Sequence, residues 1–453
     1  MAASTQHPSL LPPLPQGAVD RLTAPIQRFL AVQAASGIVL IACTALALGL
    51  ANSPLRAGWQ AFWDLTFTVG LGDFQLAYPL WYWVNDGLMA IFFFVIGLEI
   101  KRELVLGELS DPRKVTLPVA AAVGGAAVPA LIFLLLRTGT PDARGWAVPM
   151  ATDIAFVVGC LALLGPRVPH GLKVLMLTLA IVDDLLAVLV IAFFYGGALQ
   201  MGWLVGAAAA LGLVVVMNRA GVRSVPLYVL VGAVAWLCTL KSGIHPTVTG
   251  ALLGLLTPWK AWVDKASARD ILALAARAVE GDEGVLPAAA RKDVLARVAT
   301  AAREAVSPLD RLEHALHGWV GFVIMPIFAL ANAGVVLSGG AALGALPLAI
   351  AAGLVLGKPA GILLAAWLVT RGPARLPDGV GWGAMLGAGC LAGIGFTMSI
   401  FVASLAFEGD ALASAKSGVL LASAVAGVLG MLLLRAMLPA PSVRGATTAG
   451  PAA

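Results

Sequence analysis

The run VLMLTLAIVDDLLAVLVIAFFY, from Val174 to Tyr195, decides how this chain folds, because it is almost wholly apolar yet carries two adjacent carboxylates, Asp183 and Asp184, near its centre. A bilayer crossing needs roughly 20 apolar residues, so the run is long enough to span a membrane as one helix. On insertion scales an aspartate at the bilayer centre costs roughly 2.5–3.5 kcal/mol, and a pair about 5–7 kcal/mol, unless protons, cations or a fixed positive charge compensate. Such a cost points to function. Neighbouring helical residues diverge by about 100°, so the two carboxylates face different partners, one an ion path and the other a fixed charge.

Working outward, the whole chain has the same character. Its 453 residues are 60% hydrophobic and 12% charged, with a mean hydropathy of +0.93, which excludes a soluble globule and is too long for a simple anchor. The sequence predicts an all-α polytopic membrane protein of about twelve transmembrane helices. They begin near Gln33, Leu80, Val115, Trp146, Leu172, Met201, Ser224, Ile244, His317, Ala342, Trp382 and Ala411, the eighth being short. Cytoplasmic loops should hold the Lys and Arg residues. With both termini inside, the loops expected to face outward contain Arg56, Arg137, Arg144 and Lys241, while most of the 29 basic residues fall inside. The orientation survives omission of the long loop before the ninth span. Topology thus accounts for the net charge of +5, and no nucleic-acid footprint is visible. Cys43, Cys160, Cys238 and Cys390 stand singly in apolar segments and read as small core residues without disulfides or metal spacing.

This gives a cytoplasmic N-terminal tail over 1–32, a membrane domain over 33–437 and a cytoplasmic C-terminal tail over 438–453. The first span is read as retained. Within the domain, an external stretch at 52–79 contains alternation from Thr66 to Leu76 around Gly70-Leu71-Gly72-Asp73, which predicts a short β-hairpin whose free edge pairs with a second subunit in a homodimer. The stretch 259–316 is read as a cytoplasmic loop with amphipathic helices and a break near Gly281 to Pro287. A solvated loop and a lipid-binding surface are both open to it.

The fourth and eleventh spans share a pattern. Both open with Gly-Trp, at Gly145-Trp146 and Gly381-Trp382, and both are interrupted, at Ala151-Thr152-Asp153 and at Gly393-Ile394-Gly395-Phe396-Thr397. An odd offset makes them antiparallel, as inverted repeats with two discontinuous helices crossing near the midplane require. Glycines that merely let helices pack closely would look alike. A broken helix exposes a positive N-terminal end, which suits Asp153, and a negative C-terminal end, which suits Lys358 in Leu356-Gly357-Lys358-Pro359. A permanent structural pair between Lys358 and one aspartate is the alternative.

Six motifs now carry a resemblance. Trp83-Val84-Asn85-Asp86-Gly87-Leu88-Met89, Gly97-Leu98-Glu99-Ile100-Lys101-Arg102-Glu103 and Ala151-Thr152-Asp153-Ile154-Ala155-Phe156 are joined by Leu179 to Leu185, Phe328 to Gly334, and Gly395-Phe396-Thr397-Met398-Ser399. Over roughly Leu30 to Leu438 the chain resembles the NhaA-type sodium/proton antiporters. That family is itself a known case of inverted repeats, so the pattern and the resemblance are one observation rather than two. The resemblance implies a bacterial inner-membrane transporter, not an enzyme, that exchanges cytoplasmic Na+ or Li+ for external H+ by alternating access. It calls for no cofactor beyond the transported ions, and lipid is the surrounding partner. Asp183 and Asp184 would bind Na+ or H+, Thr152 and Asp153 would shape the site, and Lys358 would pair with Asp183 in a state-dependent way. Glu99, Arg102, Glu103, Glu313, His314 and His317 match groups implicated in pH activation, and His245 matches another, although Pro246 stands where alanine is common. Asp86 would lie in an external funnel. Histidines near pH 6.5 suit such sensing, but an ordinary amphipathic helix start looks the same.

Exchange follows if Na+ and H+ compete for the same carboxylates, since protonation expels the cation. Two carboxylates allow more than one H+ per Na+, hence electrogenic transport. A sodium-coupled carrier of an organic acid would need additional polar or Arg side chains, of which few are visible. An intramembrane aspartyl protease needs two carboxylates sharing a proton, a geometry adjacent residues disfavour although Asp153 and Asp184 could meet.

Overall fold

A computed structural model describes residues 33–72, 74–107, 109, 112–263, 267, 269–273, 288–336, 344–372 and 374–438. Both tails, the turn residue Asp73, the expected break at Gly281 to Pro287 and the expected start of the tenth span at Ala342 lie outside the described residues. Among the described residues the chain is predominantly helical, with one two-stranded hairpin. In order the elements are α1 (Gln33–Ala51), α2 (Arg56–Trp63), β1 (Thr66–Leu71), β2 (Phe74–Pro79), α3 (residues 80–105), α4 (Pro112–Arg137) and α5 (Ile154–Leu164). They continue with α6 (His170–Phe194), α7 (Met201–Arg219), α8 (Val225–Ser242), α9 (Thr247–Leu256), α10 (Ala288–Glu304), α11 (Pro308–Asn332), α12 (Ala345–Thr370), α13 (Trp382–Ala392), α14 (Phe396–Ala406) and α15 (Gly409–Met437).

Among the described residues eight helices are long and apolar enough to cross a membrane, or ten if the bent pairs α1 with α2 (117°) and α13 with α14 (46°) each count as one. Two of the twelve expected segments fall short for identifiable reasons. α9 has 10 residues, so it rises only about 15 Å, half of the hydrocarbon thickness. In α3 a π-helical turn at Trp83–Leu88 precedes the regular helix Met89–Val105, whose last turns carry Glu99, Lys101, Arg102 and Glu103. α11 begins at Pro308, nine residues before the expected His317. Ser307 caps it by accepting from Asp310 N at 3.1 Å, and Pro308 supplies the pre-set first-turn geometry. The hairpin pairs Thr66 with Pro79 through Leu71 with Phe74, so its turn falls at Gly72 (φ +60°), a left-handed conformation that glycine adopts without strain.

The described chain divides into two compact units. One comprises the described residues within 1–89, 103–196 and 321–453, and the other those within 90–102 and 197–320. The first is built on tight helix contacts. Gly124 of α4 and Gly361 of α12 face each other so closely that a Cβ on either collides with the other's carbonyl oxygen. This is small-residue packing, which substitutes for a hydrophobic driving force in lipid. The second unit packs α7 against α8 through Ala210, Val214, Met217, Val231 and Ala235. Within it Gly97, Gly250 and Gly254 bring the backbones of residues 90–102 and α9 together, and Lys101 Nζ donates to Leu255 O at 2.6 Å, closing the C-terminal turn of α9.

Candidate cation site at two interrupted helices

The site is assembled in the first unit from α5, α6, α12 and α14. The chain before α5 forms short 3-10 turns at Pro141–Gly145 and Val148–Met150, then runs extended through Ala151, Thr152 and Asp153. α13 ends at Ala392, and α14 begins at Phe396 after Gly393-Ile394-Gly395. These two non-helical stretches hold each other. Thr152 Oγ1 donates to Ala392 O at 2.9 Å, Asp153 N to Ile394 O at 2.7 Å, and Ser399 Oγ to Val148 O at 2.7 Å. Buried irregular backbone demands such partners, since an unsatisfied buried amide is costly.

Asp153 serves two helix starts together. Its Oδ1 accepts from Phe156 N at 3.2 Å, capping α5, while its Oδ2 accepts from Thr397 N at 3.1 Å and from the Thr397 hydroxyl in the first turn of α14. An acid at two positive helix ends is electrostatically complementary. Lys358 takes the opposite role, because its Nζ donates to Met150 O, where the 3-10 turn ends, and to Asp183 Oδ2 at 2.8 Å.

All of these side chains are buried, with Lys358 and Thr397 0% exposed, Asp153, Thr152 and Asp183 1%, and Asp184 2%. Asp183 therefore meets the fixed charge that the sequence anticipated. Its Oδ1 is buried with no hydrogen-bond partner among the described residues. Asp184, one residue on, acts on Lys358 electrostatically, while Asp183 makes the 2.8 Å ion pair. Three carboxylates thus stand against one ammonium. If all are ionised, the group carries a net negative charge in a low-dielectric interior, which a proton or a cation would offset. Among the described residues no three His, Cys, Asp or Glu side chains converge as a metal cluster. A cation here would rest on the adjacent aspartates with hydroxyl or carbonyl oxygens, ligands that suit a hard alkali ion.

The other expected site residues are placed as follows. In the second unit Arg102 Nη1 meets Glu313 Oε1 at 2.6 Å and Arg102 Nε lies 4.0 Å from Asp310 Oδ1, while His317 Nδ1 lies 3.8 Å from Glu99 Oε1. Glu99, Arg102, Glu313 and His317 are therefore gathered, with Glu313 buried and its Oε2 lacking a hydrogen-bond partner among the described residues. His314 is exposed, and Glu103 belongs to the first unit. His245 Nδ1 is 2.7 Å from Thr247 Oγ1, and Pro246 occupies the N-cap of α9, so the proline marks a helix start instead of interrupting one. Asp86 is buried in the π-helical turn of α3 and accepts from the Tyr82 hydroxyl.

Three groups escaped the sequence reading. Thr397 stood in a quoted motif, but nothing in the sequence showed that it would grip Asp153. The buried amide pair Asn85 and Asn332 (Asn332 Nδ2 to Asn85 Oδ1, 2.7 Å) and its neighbour Lys416 gave no local signal beyond a lysine in an apolar run.

The chain is similar to known proteins over nearly its whole length. A family profile described as Na+/H+ antiporter 1 matches residues 27–434. A Na(+)/H(+) antiporter NhaA of Rhodopirellula baltica is 49% identical over 431 residues, covering 95% of this chain and 98% of its own. That of Oleidesulfovibrio alaskensis is 50% identical over 442 residues, with 96% and 98% coverage, and that of Rhizobium meliloti 47% over 434 residues, with 95% and 98%.

Proposed function

The chain belongs to the Na+/H+ antiporter 1 family of multi-pass membrane proteins, and from that premise we propose that it exchanges cytoplasmic Na+ or Li+ for external H+ by competition at Asp183 and Asp184. The observation that carries this reading is the buried imbalance of Asp153, Asp183 and Asp184 against Lys358. A proton and a cation neutralise the same carboxylate oxygens, so the two ligands exclude one another. Lys358 holds Asp183 through one oxygen and leaves the other for an incoming ion. Thr152 and Asp153 keep the two interrupted helices fixed around the site. Loaded with either ion, the site opens in turn to each side of the membrane, and the two adjacent acids give more than one H+ per Na+, so exchange is electrogenic.

The same reading takes the twelve segments as twelve spans in inverted repeats, with the two interrupted helices crossing near the midplane, both termini in the cytoplasm and the protein in a bacterial inner membrane. It assigns pH regulation to the Glu99, Arg102, Glu313 and His317 group. In vesicles containing the purified chain, a sodium gradient should drive a pH change that Asp184→Asn abolishes while leaving membrane incorporation unchanged. Undiminished exchange by that variant overturns the assignment.

A further inference from the structure

Lys416 takes no part in the cluster around Asp183. It is half-buried in the second turn of α15, and among the described residues its hydrogen bond is to Asn332 Oδ1, 3.5 Å from Nζ, with no carboxylate in ion-pair contact. Asn332 cannot easily turn away. Its Nδ2 donates to Asn85 Oδ1 at 2.7 Å and to Phe328 O at 3.2 Å, and its Oδ1 also accepts from Asn85 Nδ2 at 3.4 Å. Both amides are buried, at 6% and 3% exposed for Asn85 and Asn332. Asp86, the acid beside Asn85, is turned toward Tyr82. A cation has thus been fixed against a neutral amide oxygen, an arrangement that leaves its field unneutralised.

The helix itself measures how far this charge stands from the candidate site. Ser423 follows Lys416 by seven residues, which is two turns, the same face and about 10.5 Å along the axis. Ser423 Oγ accepts from Phe396 N at 3.0 Å, at the break where Thr397 meets Asp153. In the other direction Asn332 lies three residues before Val335, whose carbonyl accepts from Asn52 Nδ2 at 2.8 Å, at the end of the unit that carries the hairpin. The ammonium therefore stands on the face leading from the interrupted helices to the hairpin end.

We propose that Lys416, held by the Asn85 and Asn332 amide pair, is a specificity-determining positive charge that weakens cation binding at the Asp183 and Asp184 site and speeds release on the hairpin side. The proposal rests on the exchange reading given above. A unit charge about 10–15 Å away, through an effective dielectric near 20, opposes a monovalent cation by about six- to seventeenfold in affinity.

The test uses the full chain in proteoliposomes, with sodium-driven pH change recorded against Na+ concentration. Lys416→Gln should lower the KM for Na+ about six- to seventeenfold and lower kcat as release slows, while Lys416→Arg stays near the unsubstituted protein. Asn332→Asp, which sets a carboxylate against the ammonium, should follow Lys416→Gln and carries the test if the lysine variant fails to fold. A folded Lys416→Gln or Asn332→Asp variant with unchanged KM overturns the proposal, as does loss of thermal stability with no shift in KM. Absence of any sodium-driven pH change in the unsubstituted protein instead removes the exchange reading, and the role of Lys416 with it.

Discussion

Asp153 joins two helices through one carboxylate, and Lys358 joins an aspartate to the end of a 3-10 turn, so each buried charge of the site is also a structural tie. Losing one partner of such a pair strands the other in low dielectric, whereas losing both does not. Lys358→Met should therefore destabilise the folded protein by about 3–5 kcal/mol, and adding Asp183→Leu should return most of that loss. Thermal unfolding in detergent measures both, and equal melting points for the single and double variants would contradict the argument. Asp183, Asp184 and Lys358 were legible in the sequence because an ionisable group inside an apolar run stands out without knowledge of its neighbours. Thr397 and Asn332 were not. Each is an ordinary polar residue whose meaning comes from a contact 244 residues away, with Asp153, and 84 residues away, with Lys416.

At the scale of the element, local chemistry decided boundaries that hydropathy could not. A hydropathy reading starts α11 where the apolar run starts, but the helix begins where Ser307 and Pro308 permit it, and the additional turns place Glu313 against Arg102. Ser307→Ala should remove about 1 kcal/mol from this end, enough to speed amide exchange over residues 308–313 about fivefold. Hydrogen-exchange mass spectrometry checks it, and unchanged protection would show that the ion pair alone holds the turn. The interruptions at Thr152-Asp153 and Gly393-Ile394-Gly395 were readable as polar or glycine breaks. The π-helical turns at Trp83–Leu88, Val320–Ile324 and Ala352–Gly357 were not, since one surplus residue in a helix leaves no compositional mark.

For the molecule as a whole, composition settled the membrane class at once, because bilayer transfer energetics act on every segment alike. The hairpin was visible by alternation, and Gly72, within the expected Gly70-Leu71-Gly72-Asp73 stretch, takes the positive φ that its turn needs. Phe67 and Val69 of the hairpin are exposed apolar side chains, which a homodimer paired through this hairpin would cover. Deleting residues 66–79 should convert dimers to monomers in native mass spectrometry while preserving ion exchange, and dimers that persist would place the contact elsewhere. The wide turn at Ala352–Gly357 absorbs one residue, so Pro347 keeps its place against Gly418 while Lys358 still reaches Asp183. Drawn out into regular α-helix, the same residues would swing the ammonium about 100° off its aspartate. Migration of that slack by a single residue would thus re-aim the lysine by local rotation alone, with no sliding of the helix that bears it.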